Sequence, residues 1–104
     1  MKIAIALSAA LALSVGINGA AIAADGAELY KTKTCLTCHG KDAKTPLLPQ
    51  YPRLAGQSAA YALQQMKDIK SGARNNGMTA AMKGVMGLVN DDEMKAIADW
   101  LATQ

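Results

Sequence analysis

The chain has 104 residues, a formal charge of +3 and no phenylalanine, with only two cysteines and one histidine. That length admits one small domain and excludes a multidomain enzyme. A core this small rarely stabilises itself without a disulfide, a metal or a cofactor.

The first element does not belong to the folded body. Residues 1–23 combine a basic Lys2, an apolar run from Ile3 to Val15, and small residues at Ala21 and Ala23. This is the three-part pattern of a secretory signal peptide, with cleavage expected after Ala23. An uncleaved anchor over Ile3 to Ala24 is the alternative, because about 20 apolar residues span a bilayer. Gly16, Asn18 and Gly19 make its second half a poor membrane helix. Either way the body, residues 24–104, is exported. Without Lys2, ten basic residues face eight acidic ones, a net of +2. A pI near 9.0 is therefore no sign of nucleic-acid binding. Lys31, Lys33, Lys41 and Lys44 do flank one stretch, either as a positive field for an acidic partner or as an ordinary solvated face.

Asp25 to Lys33 reads as a short helix with Asp25 as its cap. The segment "TCLTCHG" follows, with Cys35, Cys38 and His39 together. Pro46, Pro49 and Pro52 then make the next stretch irregular, and a long loop in a small domain is usually functional or wrapped around something. A better helix starts at Ser58 and ends at Gly72, with Ala59, Leu63, Met66 and Ile69 on one apolar stripe. Ala73 to Met78 is a turn-rich break. Thr79 to Leu88 is ambiguous, since two glycines argue against a long helix. The last helix has Asn90 and Glu93 spaced as a capping box, followed by Met94, Ile97, Ala98 and Leu101 at helical intervals. With no alternating strand pattern, the expected fold class is all-α.

Cys35, Cys38 and His39 admit three readings. Structural zinc takes four ligands, and this set would need a carboxylate to complete it. A thiol–disulfide pair uses C-x-x-C at a helix start within a strand–helix–strand unit, and no strand precedes Cys35. C-x-x-C-H is the attachment sequence of c-type haem. Cysteines three apart share a helix face and each reach one vinyl group, and the adjacent histidine supplies an imidazole to the iron. Haem also supplies the core that so small a domain lacks.

The stretches "GAELYKTKTCLTCHG", "YPRLAGQ" and "DDEMKAIADWLA" resemble a class I cytochrome c, in particular one half of the bacterial dihaem cytochromes c and their single-haem relatives. The likeness runs from Gly26 to about Leu101. It implies a small helical domain wrapped around one haem c, bound covalently by thioethers from Cys35 and Cys38. It also implies that the first and last helices cross near Gly26, Tyr30 and Trp100. Tyr30 stands where the family often has Phe.

An iron held only by His39 could bind gases or peroxide; for a second axial ligand no other histidine exists, and the methionine thioether is the other common partner. Met66 and Met94 lie on apolar stripes and read as core. Met78, Met82 and Met86 remain, and composition does not separate them. The resemblance implies Met82, eight residues before the Asn90 cap, with Met78 as second choice and Met86 as packing. It further implies that the Pro52 carbonyl accepts the Nδ1 proton of His39, against a plain turn proline. Arg53, Gln57, Tyr61 and Asn75 are candidates for haem propionate or methionine-loop contacts, each more simply an ordinary surface or packing residue.

The resulting expectation is a soluble, periplasmic, monomeric electron-transfer protein with His39 and Met82 on its iron, and no catalytic acid–base pair or nucleophile. Its partners are redox proteins, a donor and an acceptor that the sequence does not name. Nucleic acid is not among them, and a membrane is met only through a partner complex. The alternatives are a subunit of a larger oxidoreductase and, further off, a five-coordinate haem sensor or peroxidase. The thin core carries a first prediction. Protein made without export, and so without haem, should show weak helical circular dichroism and no cooperative melt comparable with that of the holo-protein.

Overall fold

The computed structural model describes residues 25–104, so the leader expected over residues 1–23 lies outside the described residues. Five helices follow one another: α1 (Gly26–Thr32), α2 (Cys35–His39), α3 (Ala59–Ser71), α4 (Thr79–Met86) and α5 (Asp91–Ala102). The described residues contain no strand. The all-α expectation holds.

Local chemistry explains where the helices begin. The Asp25 carboxylate accepts the Ala27 N–H at 3.0 Å and the Glu28 N–H at 3.3 Å, satisfying donors that the first turn of α1 leaves free. Ser58 Oγ accepts the Tyr61 N–H at 3.2 Å at the head of α3. Asn90 and Glu93 form both halves of the expected capping box, at 2.9 and 3.0 Å. Asp91, Asp92 and Glu93 add negative charge where the α5 dipole is positive.

Helix α4 resolves the ambiguous segment. It runs through Gly84 and closes at Gly87, although a mid-helix glycine costs about 1 kcal/mol. Complete burial of Met86 and Val89 offsets that cost, each such side chain contributing roughly 1.5–3 kcal/mol. The α3 stripe also differs slightly from expectation. Ala62, Met66 and Ile69 are its buried residues, while Ala59 and Leu63 are half-buried. Both α4 and α5 pack against α3, which turns the buried face toward Ala62.

The core sits where α5 packs between α1 and α3. Met94, Ile97, Ala98 and Leu101 are its buried residues, at the intervals expected. A Cβ on Gly26 would run into the Ala96 carbonyl and stand 2.7 Å from Trp100 Cβ. The absent side chain is therefore what lets α1 and α5 cross. Tyr30 and Trp100 pack at that crossing with ring centroids 4.9 Å apart and planes tilted by 45°, a favoured aromatic geometry.

Two glycine substitutions should consequently have opposite signs. Gly26→Ala is expected to destabilise the holo-protein by about 1–3 kcal/mol or more through overpacking. Gly84→Ala, where an added Cβ meets nothing within 4 Å, should stabilise by about 0.5–1 kcal/mol. Thermal denaturation measures both, and an unchanged melt for Gly26→Ala would refute the close crossing.

Candidate functional site

Helix α2 is short and depends on bracing from outside. It has no side-chain cap, and the chain enters it through Thr34 at φ +67°. Left-handed backbone is unfavourable for a β-branched residue, by about 1–3 kcal/mol. Gly40 ends the helix at φ +91°, where a Cβ would collide with the Thr45 carbonyl, so only glycine fits. Its carbonyl accepts the Tyr30 hydroxyl at 2.6 Å and the Ala43 N–H at 3.1 Å. Tyr30 thus joins the α1–α5 crossing to the end of α2. The sequence held a signal for this, tyrosine in place of the family's phenylalanine, but gave no acceptor for the hydroxyl.

The proline loop folds back on α2. Leu47 N–H donates to the Cys38 carbonyl at 2.9 Å, and Leu54 and Ala55 N–H both donate to the Ala43 carbonyl at 3.0 Å. The Pro52 carbonyl consequently comes within 3.0 Å of His39 Nδ1. A carbonyl can only accept, so the proton stands on Nδ1 and the lone pair on Nε2. His39 is buried, and burial holds its imidazole below the ordinary value, partly opposed by the Pro52 carbonyl. The neutral ring is the favoured form. Among the described residues the ring makes no other hydrogen bond, and no fully buried side-chain N or O lacks a partner. Nε2 is therefore a free donor atom with access to space.

Cys35 and Cys38 are unpaired thiols on the same helix. Burial pushes the Cys35 thiol up to about 11, with the neighbouring Cys38 adding to the effect and a backbone hydrogen bond opposing it. Redox dithiols need the opposite, a lowered thiol pKa. Among the described residues, no group of three or more His, Cys, Asp or Glu side chains converges as a metal-ion site would require. Two unpaired cysteines and one oriented imidazole within one short helix fit a porphyrin held by two thioethers and one nitrogen ligand. Leu54, Leu63, Met82 and Val85 pack against the core while only half-buried themselves. They leave apolar surface for such a group to cover.

The Cytochrome c family model matches residues 23–104. The chain belongs to the cytochrome c family. It is 38% identical to cytochrome c4 of Pseudomonas aeruginosa over 100 residues, which are 94% of this chain and 48% of that protein. To cytochrome c-553 of Nitratidesulfovibrio vulgaris it is 34% identical over 101 residues, 97% of this chain and 96% of the relative. A thiosulfate dehydrogenase electron acceptor of Stutzerimonas stutzeri is 39% identical over 83 residues, 73% of this chain and 37% of that protein. The chain thus spans about half the length of the cytochromes c4 it matches and nearly all of cytochrome c-553. Family membership brings covalently attached haem c, and Cys35, Cys38 and His39 fit the attachment motif.

Other residues of this cytochrome c lie as follows. Met82 is half-buried on α4, Met86 is fully buried, and Met78 is 50% exposed just before α4. Met66 and Met94 are core, as their stripes implied. Arg53, Tyr61 and Asn75 are exposed, and the Gln57 amide donates to the Arg53 carbonyl at 2.7 Å. Of the four flanking lysines, Lys31, Lys41 and Lys44 are exposed, whereas Lys33 is tied to the Leu88 carbonyl at 2.9 Å and lies 3.6 Å from Glu93. No described helix is long and apolar enough to cross a membrane.

Covalent attachment is directly testable. Cys35→Ser and Cys38→Ser should each remove one thioether, and the double variant should hold no haem covalently. Haem staining after denaturing electrophoresis reads this out; an unstained parent band would sink the attachment reading.

Proposed function

We propose that this chain is an exported, periplasmic one-electron carrier in which thioethers from Cys35 and Cys38 hold a single haem c and His39 and Met82 ligate its iron. When bound, that haem supplies an Fe(III)/Fe(II) couple. The protein supplies orientation and burial. The observation that carries the reading is the 3.0 Å approach of His39 Nδ1 to the Pro52 carbonyl, which commits one nitrogen and aims the other. The Pro52 carbonyl also raises the basicity of the ring it orients.

Exposure supports Met82 as the second ligand. A ligand thioether must be shielded from water yet keep a free face. Met82 is half-buried, Met86 has no exposed surface, and half of Met78 is in solvent. Two protein ligands would favour electron transfer over ligand binding or peroxide chemistry. Export rests on the leader pattern of residues 1–23 and on the oxidising, extracytoplasmic setting of c-type attachment. The exposed Lys31, Lys41 and Lys44 would steer an acidic redox partner. A relative named as the electron acceptor of thiosulfate dehydrogenase makes a dehydrogenase one class of donor, met by a free carrier or within a complex.

Substitution at the three loop methionines tests the ligand. Met82→Ala should abolish the Met–iron absorption band, admit added imidazole and lower the reduction potential, since a thioether favours Fe(II). Met86→Leu, a core swap of similar volume, should cost less than about 1.5 kcal/mol and leave the spectrum intact. If Met78→Leu rather than Met82→Ala removes the band, the ligand is Met78. A parent protein with no such band has no methionine on its iron, and the His39/Met82 reading falls.

A further inference from the structure

The chain between α4 and α5 leaves two carbonyls to account for. Behind them, the Lys83, Val85 and Met86 carbonyls accept the Gly87, Leu88 and Val89 N–H groups. No main-chain N–H of the described residues donates to the next two, Leu88 and Val89. Val89 is fully buried, and an unpaired carbonyl there is costly. Two lysines from different parts of the fold supply the donors. Lys33, directly after α1, reaches the Leu88 carbonyl at 2.9 Å, and Lys70, in the last turn of α3, reaches the Val89 carbonyl at 2.5 Å. Glu93 holds the other side of the cluster, accepting the Asn90 N–H and standing 3.6 Å from Lys33.

Helix α4 needs such an anchor. Among the described helices it packs substantially only against α3, its Gly84 faces open space, and it ends at Gly87. We propose that Lys33 and Lys70 are positioning residues for Met82, fixing the end of α4 through two consecutive carbonyls and so setting where the thioether is presented. The inference rests on the reading of Met82 as ligand. The two carbonyls lie two and three residues beyond Met86, the last residue of α4, so the lysines hold the segment into which α4 runs and stabilise the ligated arrangement relative to any in which that segment and Met82 have shifted.

Imidazole titration of the ferric holo-protein reads that equilibrium, because imidazole competes with Met82. Lys33→Met and Lys70→Met should each tighten imidazole binding roughly ten-fold, equivalent to about 1.4 kcal/mol, and weaken the Met–iron band. Lys70→Arg retains a cationic donor and should restore both signals. Lys95→Met, which removes an exposed pair with Asp99 on α5, should leave imidazole affinity unchanged. Should Lys70→Met fail to yield holo-protein, Lys33→Met gives the same reading. Imidazole affinities within roughly two-fold of the parent for the lysine variants, with only the melting temperature lowered, overturn the proposal. If Met82→Ala removes the Met–iron band while the lysine variants do nothing, this inference alone falls. If Met82→Ala keeps the band, the ligand reading falls and takes this inference with it.

Discussion

A single N–H donated from His39 to the Pro52 carbonyl organises most of what surrounds it. For the carbonyl to be there, the proline loop must turn back, which it does by placing two N–H groups on the Ala43 carbonyl. For the ring to be there, α2 must stop at His39, which Gly40 ensures with a backbone conformation closed to other residues. Tyr30 then fixes Gly40 from the far side. Orientation, tautomer and burial of the imidazole are consequences of one set of main-chain contacts. A histidine left free in a loop would sample many orientations and pay their entropy on ligation; here that entropy is already lost on folding.

The fold was legible in the sequence where its determinants are local. Asp25, Ser58 and Asn90 cap helices through bonds that span two or three residues, and Gly72 closes the helix that Ser58 opens. C-x-x-C-H was legible for the same reason, since its whole chemistry lies within five positions. The α4 segment was not, because Gly84 is unfavourable locally and only the burial of Met86 and Val89 offsets it. Periodicity placed Met66 and Ile69 correctly but favoured Leu63 over the more deeply buried Ala62, since it reports amphipathicity and not which neighbours cover the helix.

The site divides along the same line. Cys35, Cys38 and His39 needed no tertiary information. Met78, Met82 and Met86 are another matter, because three methionines spaced by four are equivalent in the sequence and differ only in how the fold exposes them. Lys70 carried no signal whatever: it is one lysine in the last turn of an amphipathic helix, and its acceptor lies 19 residues further along. Lys33 carried a misleading one, since its place beside the cysteine motif suggested a solvated patch while its amine is engaged with Leu88 and Glu93. Long cationic side chains reach far enough that sequence position says little about where their charge ends up.

The crossing of α1 and α5 also has a consequence in time. Gly26 and Ala96 meet across about 70 intervening positions, and chains emerge N-terminus first. While the rest is still being delivered, α1 has no partner, and a seven-residue helix alone is marginal in water. Cys35 and Cys38 therefore pass through a period on an open chain, reachable by whatever machinery acts on them, before α5 arrives and covers Tyr30. Chain order thus opens an interval in which both thiols are reachable before α5 can close over Tyr30.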